Sequence, residues 1–165
     1  MVEVLAATGG AAFQGPEHGA LWARATMGGR PLVLLQPYQY MNCSGPPVAA
    51  WLAALGLGPD RLLVIHDDLD LEVGRVKVAA GAGDGGHRGV RSVAEAVGDS
   101  GFLRVRVGIG RPPGEDAMAY VLAAPSPAER DLLRLAEARA AEAVRVILAE
   151  GRTAAMNRFN PWPVG

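Results

Sequence analysis

The sequence predicts an α/β protein, a single domain over residues 1–165 in which a mixed sheet is flanked by helices. Three observations carry this. An apolar run at 62–65 breaks off into His66, Asp67, Asp68 and Asp70, the pattern of a buried strand whose end carries ionisable groups. Pairs of strand-like segments are interleaved with helix-like ones from Ala20 to Ile109. A long C-terminal stretch has helical period and opens on Ser126, Pro127 and Glu129, the N-cap, N1 and N3 residues of a capping box.

The elements follow in order. Residues 2–7 are helix-compatible until Gly9 and Gly10 break them. Residues 20–27 and 31–36 flank Gly28 and Gly29 and read as a β-hairpin. Ser44 with Pro46 and Pro47 starts a helix whose Val48, Trp51, Leu52 and Leu55 share one face, and Gly56 and Gly58 end it. After the buried strand at 62–65, residues 75–79 alternate charged and apolar side chains, a half-exposed strand. A helix follows at 89–97, then a strand at 103–109 with Arg104 and Arg106 on one face. The last helix buries Leu132, Leu133, Ala136, Ala140, Val144 and Ile147, and Gly151 stops it.

At 165 residues, half of them hydrophobic and a fifth charged, the chain can bury a substantial core, which excludes a disordered protein. A net charge of −1 argues against a general nucleic-acid coat. Its distribution is uneven: Arg75, Lys77, Arg88, Arg91, Arg104, Arg106 and Arg111 face only Asp84, Glu95 and Asp99 between residues 75 and 111. Such a bias could meet phosphate or simply form a solvated face. Cys43 is the only cysteine, so no intramolecular disulfide forms, in keeping with a reducing cytoplasm. The longest uncharged apolar stretch, 48–57, is far short of the ~20 residues that span a bilayer. A membrane is not expected as a partner.

Several motifs bear on chemistry. Gly81 to Gly86 satisfies G-x-G-x-x-G, but the preceding strand has a wet face, unlike a dinucleotide-binding unit. A loop that lets a macromolecular ligand approach the backbone fits better. Asp67, Asp68, Asp70 and Glu72 lack the glycine and distal glutamate of a calcium loop, and alternation turns Asp67 away from Asp68. A carboxylate that orients a histidine is the better reading. His66 and His87 lie near that carboxylate in sequence, with no zinc-ligand spacing; each alone reads as a hydrogen-bonded structural residue. Residues 38–45, Tyr-Gln-Tyr-Met-Asn-Cys-Ser-Gly, put aromatics beside an amide before a helix, which suits a pocket that stacks a base or grips a peptide bond. No G-x-S-x-G is present, so a serine hydrolase has no support.

Together these segments resemble the bacterial peptidyl-tRNA hydrolase family. Tyr40-Met-Asn-Cys-Ser-Gly45 is similar to its "MN-x-SG" turn, and His66-Asp-Asp-Leu-Asp-Leu71 to its "HD(D/E)LDL" strand end. Gly81 to Ser92 resembles its glycine-rich "GHNG" loop, Phe102 to Pro112 its "GIG-(R/K)-P" strand, and Met156-Asn-Arg-Phe-Asn160 its C-terminal signature. Order and spacing agree from Trp22 to Asn160.

The resemblance implies a peptidyl-tRNA hydrolase fold and hydrolysis of the ester between a peptide and the 3′ end of tRNA, with no metal and no cofactor. Water attacks the carbonyl, a histidine takes its proton, and an aspartate, here Asp67, holds that histidine. Asn42 would contact substrate near the ester and Tyr40 would sit by the 3′ end. Arg106 with Lys77 would meet phosphate. His87 and Arg88 would complete the surface for the tRNA acceptor region, and DNA is not an expected partner. The family's "GNPG" and "TRHN" motifs, the second carrying the catalytic histidine, are not in these 165 residues, and Arg88 replaces the family's asparagine. The resemblance therefore implies an N-terminally shortened member with impaired activity, or a relative that binds tRNA or structured RNA without chemistry.

Overall fold

The computed structural model describes residues 1–81, 83–111, 114 and 116–161. In chain order the elements are α1 (Val2–Thr8), β1 (Gln14–Glu17), β2 (Ala20–Met27), β3 (Arg30–Pro37), α2 (Gly45–Leu55), β4 (Leu63–Asp68), β5 (Val76–Ala80), α3 (Arg88–Val97), β6 (Leu103–Gly108), α4 (Ala117–Leu122), α5 (Pro127–Glu150) and α6 (Arg152–Phe159), with single 3₁₀ turns at Met41–Cys43 and Pro59–Arg61. The α/β class expected from sequence is borne out, with the strands divided between two three-stranded sheets, ordered β1-β2-β3 and β4-β6-β5. The chain forms two compact units, residues 1–64 with 79–104, and residues 65–78 with 105–165.

In the first unit the expected hairpin is antiparallel, in register from Ala20 opposite Pro37 to Met27 opposite Arg30. The inward positions Ala20, Ala23, Ala25, Met27 and Leu34 are buried. Helices α2 and α3 enclose a core of Val48, Val90, Val93 and Phe102, against which Leu52, Leu62, Val64, Ala94 and Val97 pack. Burying one such side chain contributes about 1.5–3 kcal/mol, so this cluster holds the two helices together. Arg104 was expected to share a strand face with Arg106, within a group of cations that either meets phosphate or forms a solvated face. It is instead 2% exposed, its guanidinium 4.9 Å from the Phe102 ring centroid, donating to the carbonyls of Gly83 at 2.7 Å and Ser100 at 2.8 Å. A buried charge persists where such acceptors satisfy it, and two carbonyls do so here.

In the second unit, Val76 and Val78 of β5 are fully buried while Lys77 between them is half-buried, the alternation expected from sequence. The run at 62–65, of which 62–64 belong to the first unit, was expected to be a buried strand; those residues are half-buried, because β4 lies at the edge of its sheet. The strand also runs further than expected, so that His66, Asp67 and Asp68 are its last three residues.

Helix α5 carries the expected capping box: Glu129 N–H donates to Ser126 Oγ and Ser126 N–H to Glu129 Oε2. Its buried stripe differs from the expected one. Ala136, Ala140, Ala143, Val144 and Val146 are buried, whereas Leu132 and Leu135 are 46% and 69% exposed. Three of the five buried residues are alanine, so the face that packs is the one admitting the closest backbone approach, not the one with the largest side chains. Short helices α4 and α6 were not foreseen. Residues Ala155 and Phe159 of α6 are buried, and Arg139 of α5 lies 5.5 Å over the Phe159 ring.

Candidate active site

Tyr40, Asn42, His87 and Arg88 fall in the first unit; Asp67, Lys77 and Arg106 fall in the second.

In the first unit, β3 ends at Pro37 and the chain turns sharply through Tyr38, Gln39 and Tyr40. Both tyrosines are exposed, Tyr40 by 85%, and with Gln39 they line an open cavity of about 410 Å³. The 3₁₀ turn then presents Asn42. Cys43 N–H donates to the Tyr40 carbonyl at 2.7 Å and Ser44 Oγ donates to the Met41 carbonyl at 2.9 Å, closing the turn on both sides of that asparagine. Ser44 therefore spends its hydroxyl on the preceding turn and does not cap α2 with its side chain. The first N–H of that helix, on Gly45, is taken instead by Ser92 Oγ of α3 at 2.9 Å.

The approach of α2 to α3 depends on glycine. A Cβ on Gly45 would lie 2.0 Å from the Ser92 carbonyl oxygen, and one on Gly89 would lie 2.7 Å from Met41 Sδ. The Asn42 turn and the start of α3, with His87 and Arg88, are thus held against each other by contacts only glycine allows. His87 is the N-cap of α3: its Nδ1 accepts from Val90 N–H at 3.1 Å. That bond assigns the neutral ring's proton to Nε2. Arg88 follows as the first residue of the helix and is exposed.

The glycine-rich loop leading to His87 is tied down by Asp84. Its Oδ1 accepts from Gly86 N–H at 2.8 Å, its carbonyl accepts from His87 N–H at 2.9 Å, and its carboxylate receives Arg91 Nε at 2.7 Å and Nη2 at 3.3 Å. The Arg91 hydrogen bond, then the Gly86 N–H, lowers the Asp84 carboxyl from its ordinary 3.8 to about 2.

In the second unit, Asp67 is half-buried near the end of β4, and alternation turns its side chain to the opposite face from Asp68. His66 Nδ1 donates to the Asp67 carbonyl at 2.6 Å. Asp68, 7% exposed, accepts from Arg106 Nε and from Asp70 N–H at 2.9 Å. Asp70 pairs with Arg111 at 2.8 Å. The acidic run therefore meets arginines; among the described residues no group of three or more His, Cys, Asp or Glu gathers as a metal site would. Lys77 lies on β5 beside Val78, whose N–H and carbonyl are both bonded by the Asn160 side chain at 2.8 and 3.0 Å.

Asp68, Asp84, Ser92 and Asn160 were missed as partners by sequence reasoning. Asp84 carried a usable signal, since Asp two residues before a glycine favours an Asx turn. Asp68 carried a similar Asx-turn signal for its bond to Asp70 N–H, whereas its pairing with Arg106 and the bonds of Ser92 and Asn160 act across 38 or more residues of chain, where no local pattern shows them. Of the seven cations between residues 75 and 111, Arg91, Arg106 and Arg111 are matched to carboxylates and Arg104 is buried, so the cluster is far less open than its charge count suggested.

Comparison with known proteins fits this geometry. The family model described as peptidyl-tRNA hydrolase matches residues 1–164. A peptidyl-tRNA hydrolase of Mycobacterium bovis is 43% identical over 164 residues, covering 98% of this chain and 86% of that protein. One of Rubrobacter xylanophilus is 47% identical over 152 residues, covering 87% and 82%. The crystal structure of peptidyl-tRNA hydrolase from Acinetobacter baumannii superposes with a TM-score of 0.90 at 30% identity, over 98% of this chain and 83% of that one.

Proposed function

The chain belongs to the peptidyl-tRNA hydrolase family, and from that premise we propose that it acts on the ester joining a peptide to the 3′ end of tRNA. Water adds to the ester carbonyl and gives up a proton. The ester C–O bond breaks, releasing the peptide acid and the tRNA 3′ hydroxyl. The observation that carries the reading is the packing of the Asn42 turn against the His87–Gly89 start of α3. It sets an amide, two exposed tyrosines and an arginine on one unit, donors and stacking surfaces that suit a nucleotide-linked ester. Asp67 would stand where the family's aspartate orients a histidine base that these 165 residues do not supply. Asn42 would bind near the ester, Tyr40 would lie by the terminal nucleotide, and Lys77 and Arg106 would bind phosphate. His87, with its proton on Nε2, would donate a hydrogen bond. A reducing, cytoplasmic setting suits this substrate.

We further propose that these 165 residues turn substrate over slowly. They contain three histidines. His87 has its Nδ1 lone pair taken by Val90 N–H, the Nε2 of His66 is buried away from water, and His18 lies in the turn between β1 and β2, far from Asp67 in sequence. Lacking a positioned base removes about 10²–10⁴-fold in rate.

The test is peptide release from N-blocked peptidyl-tRNA, with tRNA binding measured in parallel. Salt-sensitive binding with turnover that is slow, and slower still in Asn42→Ala, is expected. Absence of tRNA binding would overturn the substrate assignment; fast turnover would overturn the impairment alone.

A further inference from the structure

We propose that Asp84 is a positioning residue for the tRNA-binding edge of α3: by holding Arg91 and the loop before His87, it leaves Arg88 as the arginine of that edge that meets phosphate. This rests on the tRNA reading above.

The loop at 81–87 contains Gly81, Gly83, Gly85 and Gly86, with left-handed φ of +59° and +81° at the last two. Such a segment has little intrinsic order, and fixing it is entropically costly. Two successive residues supply the tethers. Gly83 gives its carbonyl to the buried Arg104, and Asp84 binds Gly86 N–H, His87 N–H and, through both carboxylate oxygens, Arg91. An exposed ion pair adds little to global stability. A two-point guanidinium–carboxylate contact nevertheless fixes direction, and here it joins the loop to the second turn of the helix it precedes.

The pair also divides labour between two arginines one helical turn apart. Arg91 has its charge matched at 2.7 Å, whereas Arg88 is exposed with no ion pair among the described residues. Arg91 gives both its Nε and its Nη2 to one carboxylate and so gains little from phosphate, unlike Arg106, which gives Asp68 its Nε; on the edge of α3 the counterion-releasing contact therefore falls to Arg88.

Two measurements test this. In the free protein, Asp84→Ala and Arg91→Ala should each speed amide exchange at Gly86 and His87 by about tenfold or more, the factor set by roughly one residue's ordering. Unchanged exchange overturns the clamp whether or not the protein binds RNA. In tRNA binding, Arg88→Ala should reduce the slope of log affinity against log salt by about 1, while Arg91→Ala should weaken binding with the slope preserved. The swap Asp84→Arg with Arg91→Asp restores the ion pair but not the Gly86 N–H bond, so it should recover part of the affinity lost in Arg91→Ala. A slope that falls with Arg91→Ala and not with Arg88→Ala overturns the division of labour. If the parent chain binds no tRNA, the substrate reading and the role of Arg88 fall together, and the exchange result still decides the clamp.

Discussion

The side-chain amide of Asn160 closes both backbone groups of Val78, accepting from its N–H at 2.8 Å and donating to its carbonyl at 3.0 Å. The two residues are 82 apart in sequence, and the amide does what another strand would do for β5. Val78 is fully buried, so neither group can turn to water.

Asn160→Ala should therefore destabilise the protein by about 1–3 kcal/mol for each backbone group left unpaired. At about 2–4 °C per kcal/mol for a chain of this size, the loss should be plain in a thermal melt. Asn160→Asp keeps the acceptor but sets a carboxylate oxygen against the buried Val78 carbonyl, so at neutral pH it should destabilise at least as much as Asn160→Ala. A melt of Asn160→Ala matching the parent would show that the amide adds nothing.

Gly45→Ala places a Cβ 2.0 Å from a backbone oxygen, and Gly89→Ala places one 2.7 Å from a flexible methionine sulfur. Backbone yields less than a thioether end, so Gly45→Ala should cost about 1–3 kcal/mol or more and Gly89→Ala distinctly less. Because Gly45 anchors the turn that presents Asn42, Gly45→Ala should also weaken tRNA binding at temperatures where it is folded. Denaturant melts of the two variants, compared side by side, give the order.

Removing Arg106 leaves the Asp68 carboxylate buried without its guanidinium, a change expected to cost about 3–5 kcal/mol. Replacing both, as Asp68→Asn with Arg106→Gln, should recover much of the loss. Chemical denaturation of the single and double variants reads this directly. It also separates the two roles of Arg106, since any tRNA-binding loss in the stable double variant reports phosphate contact and not unfolding.

The Asp84 carboxyl is held at about 2, below its ordinary 3.8. Its folded value is lowered, so its contribution is fully present above 3.8 and is lost as pH falls through about 2. Carbon-detected titration of Asp84 should give that low midpoint, and Arg91→Ala should move it back towards the ordinary value. An unchanged midpoint in Arg91→Ala would mean that the Gly86 N–H alone sets it.

Much of the architecture was legible locally. The hairpin around Gly28 and Gly29, the alternation of Val76, Lys77 and Val78, and the box of Ser126 and Glu129 each follow from neighbours a few residues apart, and each formed as expected. Motif resemblance placed the chain in its family, because five short segments in fixed order are far more specific than any one of them.

Sequence by itself thus determined most of the elements, though not β1, α4 or α6, together with the family and the identity of the residues at 40–45, 66–71 and 81–92. Tertiary structure alone decided which of them are already engaged. Arg104 and Arg106 look alike in a strand, yet one is buried against Phe102 and the other bonds Asp68. Arg88 and Arg91 look alike on a helix, yet one is exposed and the other is held by Asp84. The reason is physical: propensity and periodicity act between near neighbours, whereas a charge takes its state from whichever partners the folded chain brings within hydrogen-bonding reach.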